Sequence, residues 1–400
     1  MINVAILGYG TVGAGVYKVL HMNREKIAER VGEELNVRYV LDLRDFPGDP
    51  CEDVLTHDYN DILNDPDVAI VVETMGGLRP AFEFTKKAIC AGKSVCTSNK
   101  ELVAEHGVLL RDLAKENNVN YLFEASCGGG IPIIHALDSS LTADEIDRVS
   151  GILNGTTNYI LTAMTDKGQS FEEALREAQK NGFAELHPEA DVEGWDACRK
   201  IAILSSIAYG RQITYKDVAT EGITNIDAVD IAYAGVMGLK IKLLAMSRNT
   251  DDGTWAMVAP MLVDADNLLY NVNGVLNAVY LHGNAVGDVY FYGSGAGSLP
   301  TASAVAGDIV SCARHLRKTL RSDWTSEPMK MISSEDVKFR YFVRFSGTEE
   351  EAKTVFGEIE PIRVEQAEGE FGFMTGEFSR KEFDEKAELS GRVVKAIRRA

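Results

Sequence analysis

The run Asn3-Val4-Ala5-Ile6-Leu7 passes without a break into Gly8-Tyr9-Gly10-Thr11-Val12-Gly13, after which apolar residues recur at helical spacing through Val16, Val19 and Leu20. Few folds accept that order. A buried strand turns sharply at Gly8, leaves room for a ligand at Gly10, and lets the next helix lie close on it at Gly13. The first helical residues, Thr11 and Val12, then offer N–H groups with no partner inside the helix, which suits negative charge. The stretch predicts an α/β domain of the Rossmann type, holding a dinucleotide pyrophosphate on Gly8, Gly10, Thr11, Val12 and Gly13.

Bulk properties narrow the rest. A chain of 400 residues has room for two or three domains, because one core stops growing near ~250–300 residues. The formal net charge of -19 argues against nucleic acid and anionic membrane surfaces, both of which attract basic patches. No run approaches the ~20 apolar residues of a membrane span, and the first residues read as a strand rather than a secretory leader. Six cysteines without C-x-x-C spacing suggest a reduced, cytoplasmic protein with neither disulfides nor a zinc site. Seven histidines without an H-x-x-x-H pair give no transition-metal centre.

A charged helix over about residues 21–34 precedes a second strand at 37–41. The end of that strand faces the adenosine ribose, where Asp42 or Asp45 suits a 2′-hydroxyl and Arg44 a 2′-phosphate. NAD and NADP both stay open. A strand at 68–73 ends on Thr74-Met75-Gly76-Gly77, where Gly76 permits close approach to a cofactor. After a helix at 80–91, a strand delivers Asn99 and Lys100 from its carboxyl end to the ligand crevice. A further strand, 121–126, carries Glu124 into Cys127-Gly128-Gly129-Gly130-Ile131-Pro132. This glycine run reads either as a hinge or as a carbonyl-rich site for a hard cation.

The stretch from Glu185 to Lys200 concentrates acids, with Asp191 and Asp196, before an apolar helix at 201–208. Asp196 and Lys200 are four apart and share one helix face, and that face continues into Ile203, Leu204 and Ile207. The pair therefore sits at the edge of the buried stripe. Upstream, Asn154-Gly155-Thr156-Thr157-Asn158 reads either as a hydrogen-bonding cluster for a compact substrate or as a turn with a helix cap. Residues 222–245 read as helical, and 255–260, 278–281 and 289–292 as strands of a second sheet. Gly293-Ser294-Gly295-Ala296-Gly297 opens a helix over about 298–320 that is expected to return to the first domain and bring Gly295 to the nicotinamide side. Residues 321–337 read as a linker, and 338–400 as β-α-β-β-α-β.

The motifs Asn154-Gly155-Thr156-Thr157-Asn158-Tyr159-Ile160-Leu161-Thr162, Glu185 to Lys200, and Gly222-Ile223-Thr224-Asn225-Ile226-Asp227 resemble those of homoserine dehydrogenases, and the resemblance runs over residues 1 to about 312. It implies reduction of L-aspartate 4-semialdehyde to L-homoserine by NADPH or NADH, in threonine and methionine biosynthesis. By resemblance, Lys200 takes the proton-donor position and Lys100 that of a second active-site lysine. Glu185 matches the substrate-binding acid, Asp191 and Asp196 the other acidic positions, and Thr156 lies in the substrate motif. Glu124, Cys127, Gly129 and Ile131 match an alkali-cation site for Na+ or K+, with valine usual where Cys127 stands. The family implies a homodimer or homotetramer, and residues 338–400 resemble an ACT domain that binds an amino-acid effector or makes a dimer contact. Its first turn reads Ser346-Gly347-Thr348-Glu349 in place of the usual D-x-P-G type.

The chemistry fits these residues independently of the resemblance. Hydride addition to an aldehyde leaves an alkoxide, which calls for a proton donor or a positive charge such as Lys200 and Lys100 supply. The expected organisation is a nucleotide domain at 1–135 completed by the helix at about 298–320, a substrate and dimerisation domain at 136–297, and the C-terminal module. Two rival readings are a phosphorylating aldehyde dehydrogenase with Cys127 as nucleophile and His135 as base, and a dinucleotide sensor without turnover.

Overall fold

The computed structural model describes residues 1–320 and 324–400. From the amino terminus the chain forms β1 (Ile2–Leu7), α1 (Thr11–Met22), α2 (Arg24–Val31), β2 (Leu35–Leu41), β3 (Leu55–Thr56), α3 (Tyr59–Leu63), β4 (Val68–Glu73), α4 (Ala81–Cys90), β5 (Ser94–Thr97), α5 (Lys100–Glu116), β6 (Tyr121–Leu122) and α6 (Ile133–His135). There follow β7 (Ile146–Ile152), α7 (Gly155–Lys167), α8 (Phe171–Lys180), α9 (Glu189–Val192), α10 (Trp195–Tyr209), β8 (Arg211–Gln212), β9 (Ala219–Thr220), α11 (Ala228–Val236), β10 (Lys240–Thr250) and β11 (Gly253–Val263). The remainder holds β12 (Leu276–Gly283), β13 (Gly287–Ser294), α12 (Ser298–Arg314), β14 (Thr325–Pro328), β15 (Phe339–Phe345), α13 (Glu349–Phe356), β16 (Phe371–Phe378), α14 (Arg380–Ser390) and β17 (Val393–Arg399). None of the described helices is long and apolar enough to cross a membrane.

These elements make two compact units: Met1–Asp147, Ala202–Tyr215 and Leu281–Met329 in one, Arg148–Ile201, Lys216–Tyr280 and Lys330–Ala400 in the other. The first is built on a parallel sheet of order β3-β2-β1-β4-β5-β6, the doubly wound order whose direction changes between β1 and β4. Val4 and Ile6 of β1 pack with Val16, Val19 and Leu20 of α1 and with Ala302, Val305 and Ile309 of α12. Each such side chain contributes about 1.5–3 kcal/mol when fully buried. The two helices lie close because Gly15 has no side chain: a Cβ there would meet Ser298 Oγ at 2.7 Å and Ala302 Cβ at 3.1 Å.

The second unit carries a mixed sheet in which β12, β7, β10, β11, β17, β15 and β16 are successive neighbours. In its C-terminal part β15 pairs antiparallel with both β16 and β17, and Ile362 bridges to Gly372 on the far side of β16. This gives the expected β-α-β-β-α-β path with its second strand reduced to one bridge. The separate module expected at 338–400 is not a unit by itself. Its last strand pairs in parallel with β11, Met261 with Arg398 and Leu262 with Arg399, so the sheet runs on through it.

Other boundaries differ from expectation for local reasons. The helix expected over 222–245 is only α11, because Gly238 takes a left-handed φ of +70° and stops it; Lys240–Thr250 then pairs with β11 throughout its length. The expected linker at 321–337 has its first three residues outside those described, and the rest is tied down: β14 pairs with β8, and Thr254 N–H donates to the Lys330 carbonyl (2.9 Å). The strand expected over 121–126 stops at Leu122 and gives way to a single 3₁₀ turn at Glu124–Ser126. The helix begun at Ser298 ends at Arg314 rather than near 320.

Lys242 of β10 is buried, with Nζ donating to the Val272 carbonyl (2.5 Å), Asn273 Oδ1 (3.0 Å) and Asn158 Oδ1 (3.2 Å). These acceptors are all neutral, and burial pulls the ammonium down to about 7. An unfolded lysine keeps its proton to about 10.4, so between these values the unfolded chain binds more protons and stability rises with pH. The expected outcome is a gain approaching ~1.4 kcal/mol per pH unit across that window, lost as pH falls through the folded value. Denaturant titrations at pH 7, 8 and 9 should show it as the difference in slope between the native chain and Lys242→Met.

Candidate active site

In the first unit, the loop after β1 turns at Gly8, with φ of +93°, and α1 begins at Thr11 with no side-chain cap at Gly10. A Cβ on Gly10 would meet nothing within 4 Å, whereas one on Gly13 would stand 1.9 Å from the Gly8 carbonyl oxygen. Gly10 therefore faces open space and Gly13 a closed backbone contact, the two conditions a pyrophosphate cradle needs. A cavity of about 500 Å³ opens there, lined among others by Gly8, Gly10, Asp42, Arg44, Thr74 and Met75. Asp42 accepts the Tyr9 N–H (2.7 Å) and the Arg44 guanidinium (3.0 Å). Those hydrogen bonds from Arg44 hold its carboxyl well below the usual carboxylate range. Asp45 instead meets His57 Nε2 (3.1 Å). The residues present thus fit a dinucleotide.

A second set of groups, of which Glu73 and Thr97 are absent from the sequence reading, holds the turn that follows Thr74 and Met75. Glu73, fully buried at the end of β4, accepts N–H groups from Met75 (2.8 Å) and Gly76 (3.3 Å) and the hydroxyl of Thr97 (2.6 Å). Asn99 caps α5 through Leu102 N–H (3.1 Å) and donates to the Gly77 carbonyl (2.6 Å). The Gly76-Gly77 turn is therefore fixed to the start of the helix that carries Lys100. Lys100 is the first residue of that helix, not the last of a strand, because β5 ends at Thr97. The available signal was an acid closing an otherwise apolar strand.

The glycine run behaves as a buried loop. Gly128 and Gly129 take left-handed φ values of +72° and +56°, and a Cβ on Gly129 would stand 2.5 Å from Gly295. Gly295 and the 127–131 loop are therefore brought together, and Ser298 Oγ at the head of α12 donates to the Thr11 carbonyl (2.8 Å). Glu124 is buried, its two oxygens accepting the N–H groups of Ile134 (2.9 Å) and His135 (2.6 Å). Burial, with Asp308 adding, pushes Glu124 up to about 7, while the hydrogen bond to Asp308 (2.8 Å) raises His135 to about 9. Cys127 is fully buried, and His135 is turned to Asp308. That geometry does not favour a thiol nucleophile with His135 as base. Among the described residues no cluster of three or more His, Cys, Asp or Glu side chains could hold a metal.

The second unit holds the lysine. Helix α10 begins at Trp195, six residues before the expected apolar run, so Asp196 sits in its first turn, where the helix dipole favours a carboxylate. Lys200 Nζ donates to Asp196 Oδ2 (2.8 Å) and to the Leu153 carbonyl (2.8 Å), and both side chains are at least nine-tenths buried. Asn154 joins the pair to a further acid: its Nδ2 donates to Asp196 Oδ2 (2.8 Å) and Asp191 Oδ1 (2.7 Å), while its Oδ1 caps α7 at Thr157 N–H (2.8 Å). Cap and polar cluster, read from sequence as alternatives, are one and the same residue. Thr156 donates its hydroxyl to the Phe183 carbonyl (2.6 Å). Glu185 lies outside this cluster. Gly182, with φ of +74°, turns the chain outward after α8, and Glu185 is exposed with its carbonyl accepting from Gln179 Nε2 (3.0 Å).

Fold and site together define an NAD(P)-dependent oxidoreductase acting on a CH–OH group. Residues 8–124 match the model of the homoserine dehydrogenase NAD-binding domain, and residues 132–310 that of homoserine dehydrogenase. The chain belongs to the homoserine dehydrogenase family. It is 43% identical over 314 residues to the homoserine dehydrogenase of Pseudomonas aeruginosa, covering 78% of this chain and 72% of that protein. With that of Synechocystis it shares 44% identity over 317 residues, covering 78% and 73%. The crystal structure of a homoserine dehydrogenase from Thiobacillus denitrificans superposes with a TM-score of 0.91 at 35% identity, covering 100% of this chain and 98% of that one. A hyperthermophilic archaeal homoserine dehydrogenase in complex with NADPH does so with a TM-score of 0.68 at 29% identity, covering 80% and 99%.

Proposed function

We propose that the chain reduces L-aspartate 4-semialdehyde to L-homoserine with NADPH or NADH, and that Lys200 supplies the proton. The observation that carries this reading is the buried Lys200 ammonium, oriented by the Leu153 carbonyl and Asp196 beside Asn154 and Asp191. The bound dinucleotide supplies the hydride. A Lys200 N–H is then transferred to the oxygen left negative by hydride addition, and a solvent proton restores the ammonium. By the same reading Asp191, Asp196 and Glu185 are the acids assigned to the substrate, suited to its ammonium group, and Lys100 is the second active-site lysine. Gly8, Gly10, Thr11, Val12, Gly13, Arg44, Gly76, Lys100 and Gly295 are assigned to the dinucleotide. Initial rates with aspartate semialdehyde and each reduced dinucleotide, read as loss of nicotinamide absorbance, test this; no loss with either would overturn it.

The same reading assigns an alkali cation, Na+ or K+, to the loop of Glu124, Cys127, Gly129 and Ile131. Both Glu124 oxygens are already occupied by backbone N–H groups, so the ligands would be carbonyl oxygens, the donors a hard cation prefers. Cys127→Val is therefore expected to keep turnover, since the backbone carbonyl is unchanged, with a stability cost of about 1–3 kcal/mol for the extra methyl. Steady-state rates in NaCl and KCl check it, and a large loss would reopen the thiol-nucleophile reading. A cytoplasmic homodimer or homotetramer belongs to the same proposal. So does an amino-acid effector in the cavity of about 640 Å³ lined by Thr348, Glu349, Arg363 and Glu370.

A further inference from the structure

The turn that carries Asp191 is braced from behind. Ile223 N–H donates to the Val192 carbonyl (2.8 Å), and a Cβ on Gly222 would stand 2.3 Å from that carbonyl oxygen and 2.5 Å from Glu193 Cα. The segment 221–230 therefore lies directly against the Asp191 turn, with Glu221 N–H anchored on the Val258 carbonyl of β11 (2.8 Å). Three cations of the C-terminal strands hold this segment. Arg398 of β17 pairs with Glu221 (2.8 Å), and Lys395 of β17 with Asp230 (2.6 Å) and the Asn225 carbonyl. Arg344 of β15 pairs with Asp227 (2.9 Å), Asp230 (2.9 Å) and Glu370 (2.7 Å).

Arg344 is the centre of this arrangement. It is buried, Asp230 beside it is wholly so, and their separation in sequence is 114 residues. Asp227 and Asp230 already form a complete capping box for α11, so the helix end alone does not call for an arginine. What the guanidinium adds is a tie between that helix end and β15, with enough N–H groups in a fixed fork to reach three carboxylates. Without it Glu370 loses its arginine and the buried Asp230 keeps only Lys395, which favours movement of the segment toward water.

We propose that Arg344 is a positioning residue for the substrate side of the reaction, acting through residues 221–230 to hold the Asp191 turn in place. The inference rests on the assignment of Asp191 to the substrate site. Misplacement by about 1 Å from a remote change is enough to lower rates by up to ~10²-fold.

The test is steady-state kinetics on the full chain with Arg344→Met, Arg344→Lys, Asp191→Asn and the double variant Arg344→Met with Asp191→Asn. Arg344→Met is expected to raise KM for aspartate semialdehyde at least ~10-fold with the dinucleotide KM within about twofold. Arg344→Lys should fall between, because an ammonium keeps the charge and loses the fork. The double variant should be no worse than Asp191→Asn alone, as coupled sites are not additive. A lower melting temperature with both KM values unchanged, an equal rise in both, or effects that multiply would each overturn the inference. Should Arg344→Met fail to fold, Glu221→Gln at the other end of the segment is expected to give the same KM split. An Asp191→Asn enzyme with native substrate KM would instead refute the site assignment, and this inference with it.

Discussion

Replacing Lys200 with alanine is expected to lower kcat by at least ~10²-fold, the scale of a lost general acid, while dinucleotide affinity stays within about twofold. Affinity is spared because the glycine cradle, Asp42 and Arg44 all belong to the other unit. Alanine also leaves Asp196 buried without its cation, and breaking a buried pair costs about 3–5 kcal/mol, so a fall in melting temperature is expected alongside. Lys200→Arg separates the two effects. A guanidinium keeps the charge beside Asp196 and the Leu153 carbonyl, yet it does not release its proton at working pH. Turnover should therefore stay low while the melting temperature returns. Near-native kcat in Lys200→Arg would refute proton donation and leave the lysine a purely electrostatic role.

Gly13→Ala is expected to abolish dinucleotide binding, with a rise in dissociation constant beyond ~10²-fold, and to destabilise the fold by on the order of 3 kcal/mol. The added carbon would lie 1.9 Å from the Gly8 carbonyl oxygen and 2.9 Å from Thr74 Oγ1. Neither can retreat freely, since Thr74 Oγ1 donates to the Leu7 and Gly8 carbonyls (3.0 and 2.9 Å) and so clamps the turn. Gly10→Ala makes the comparison. Its Cβ meets nothing within 4 Å, so the free protein should melt as the native one does while affinity still drops, because the methyl occupies the ligand's approach. Thermal melts with fluorescence titration of reduced dinucleotide distinguish the two. A Gly13→Ala protein with native melting and affinity would show that helix and strand are not in the close contact described.

What was legible in the sequence were features whose partners are near in the chain. The strand, glycine loop and helix of residues 3–20 are consecutive, and Asp196 with Lys200 is a one-turn pair, so spacing alone placed them. Residues 240–245 were misread because Leu243-Leu244-Ala245 continues an apolar helix pattern, although the segment belongs to a strand that buries Lys242. Glu73 ends an apolar strand, but nothing nearby in sequence reveals that Thr97 will donate to it. Arg344 is more remote still, since two of its partners, Asp227 and Asp230, lie over a hundred residues upstream. Asn154 was visible as a cap, yet its second task, bridging Asp191 and Asp196, depends on distant chain folding back onto it.

The close seating of α12 on α1 bears on how this protein is made. As the polypeptide leaves the ribosome, the apolar side of the first helix emerges almost three hundred residues ahead of Ala302, Val305 and Ile309, the groups that shelter it. Throughout that interval the nascent nucleotide fold is one wall short, so a chain cut off or stalled before α12 presents a sticky helix face to whatever chaperone or neighbour reaches it first.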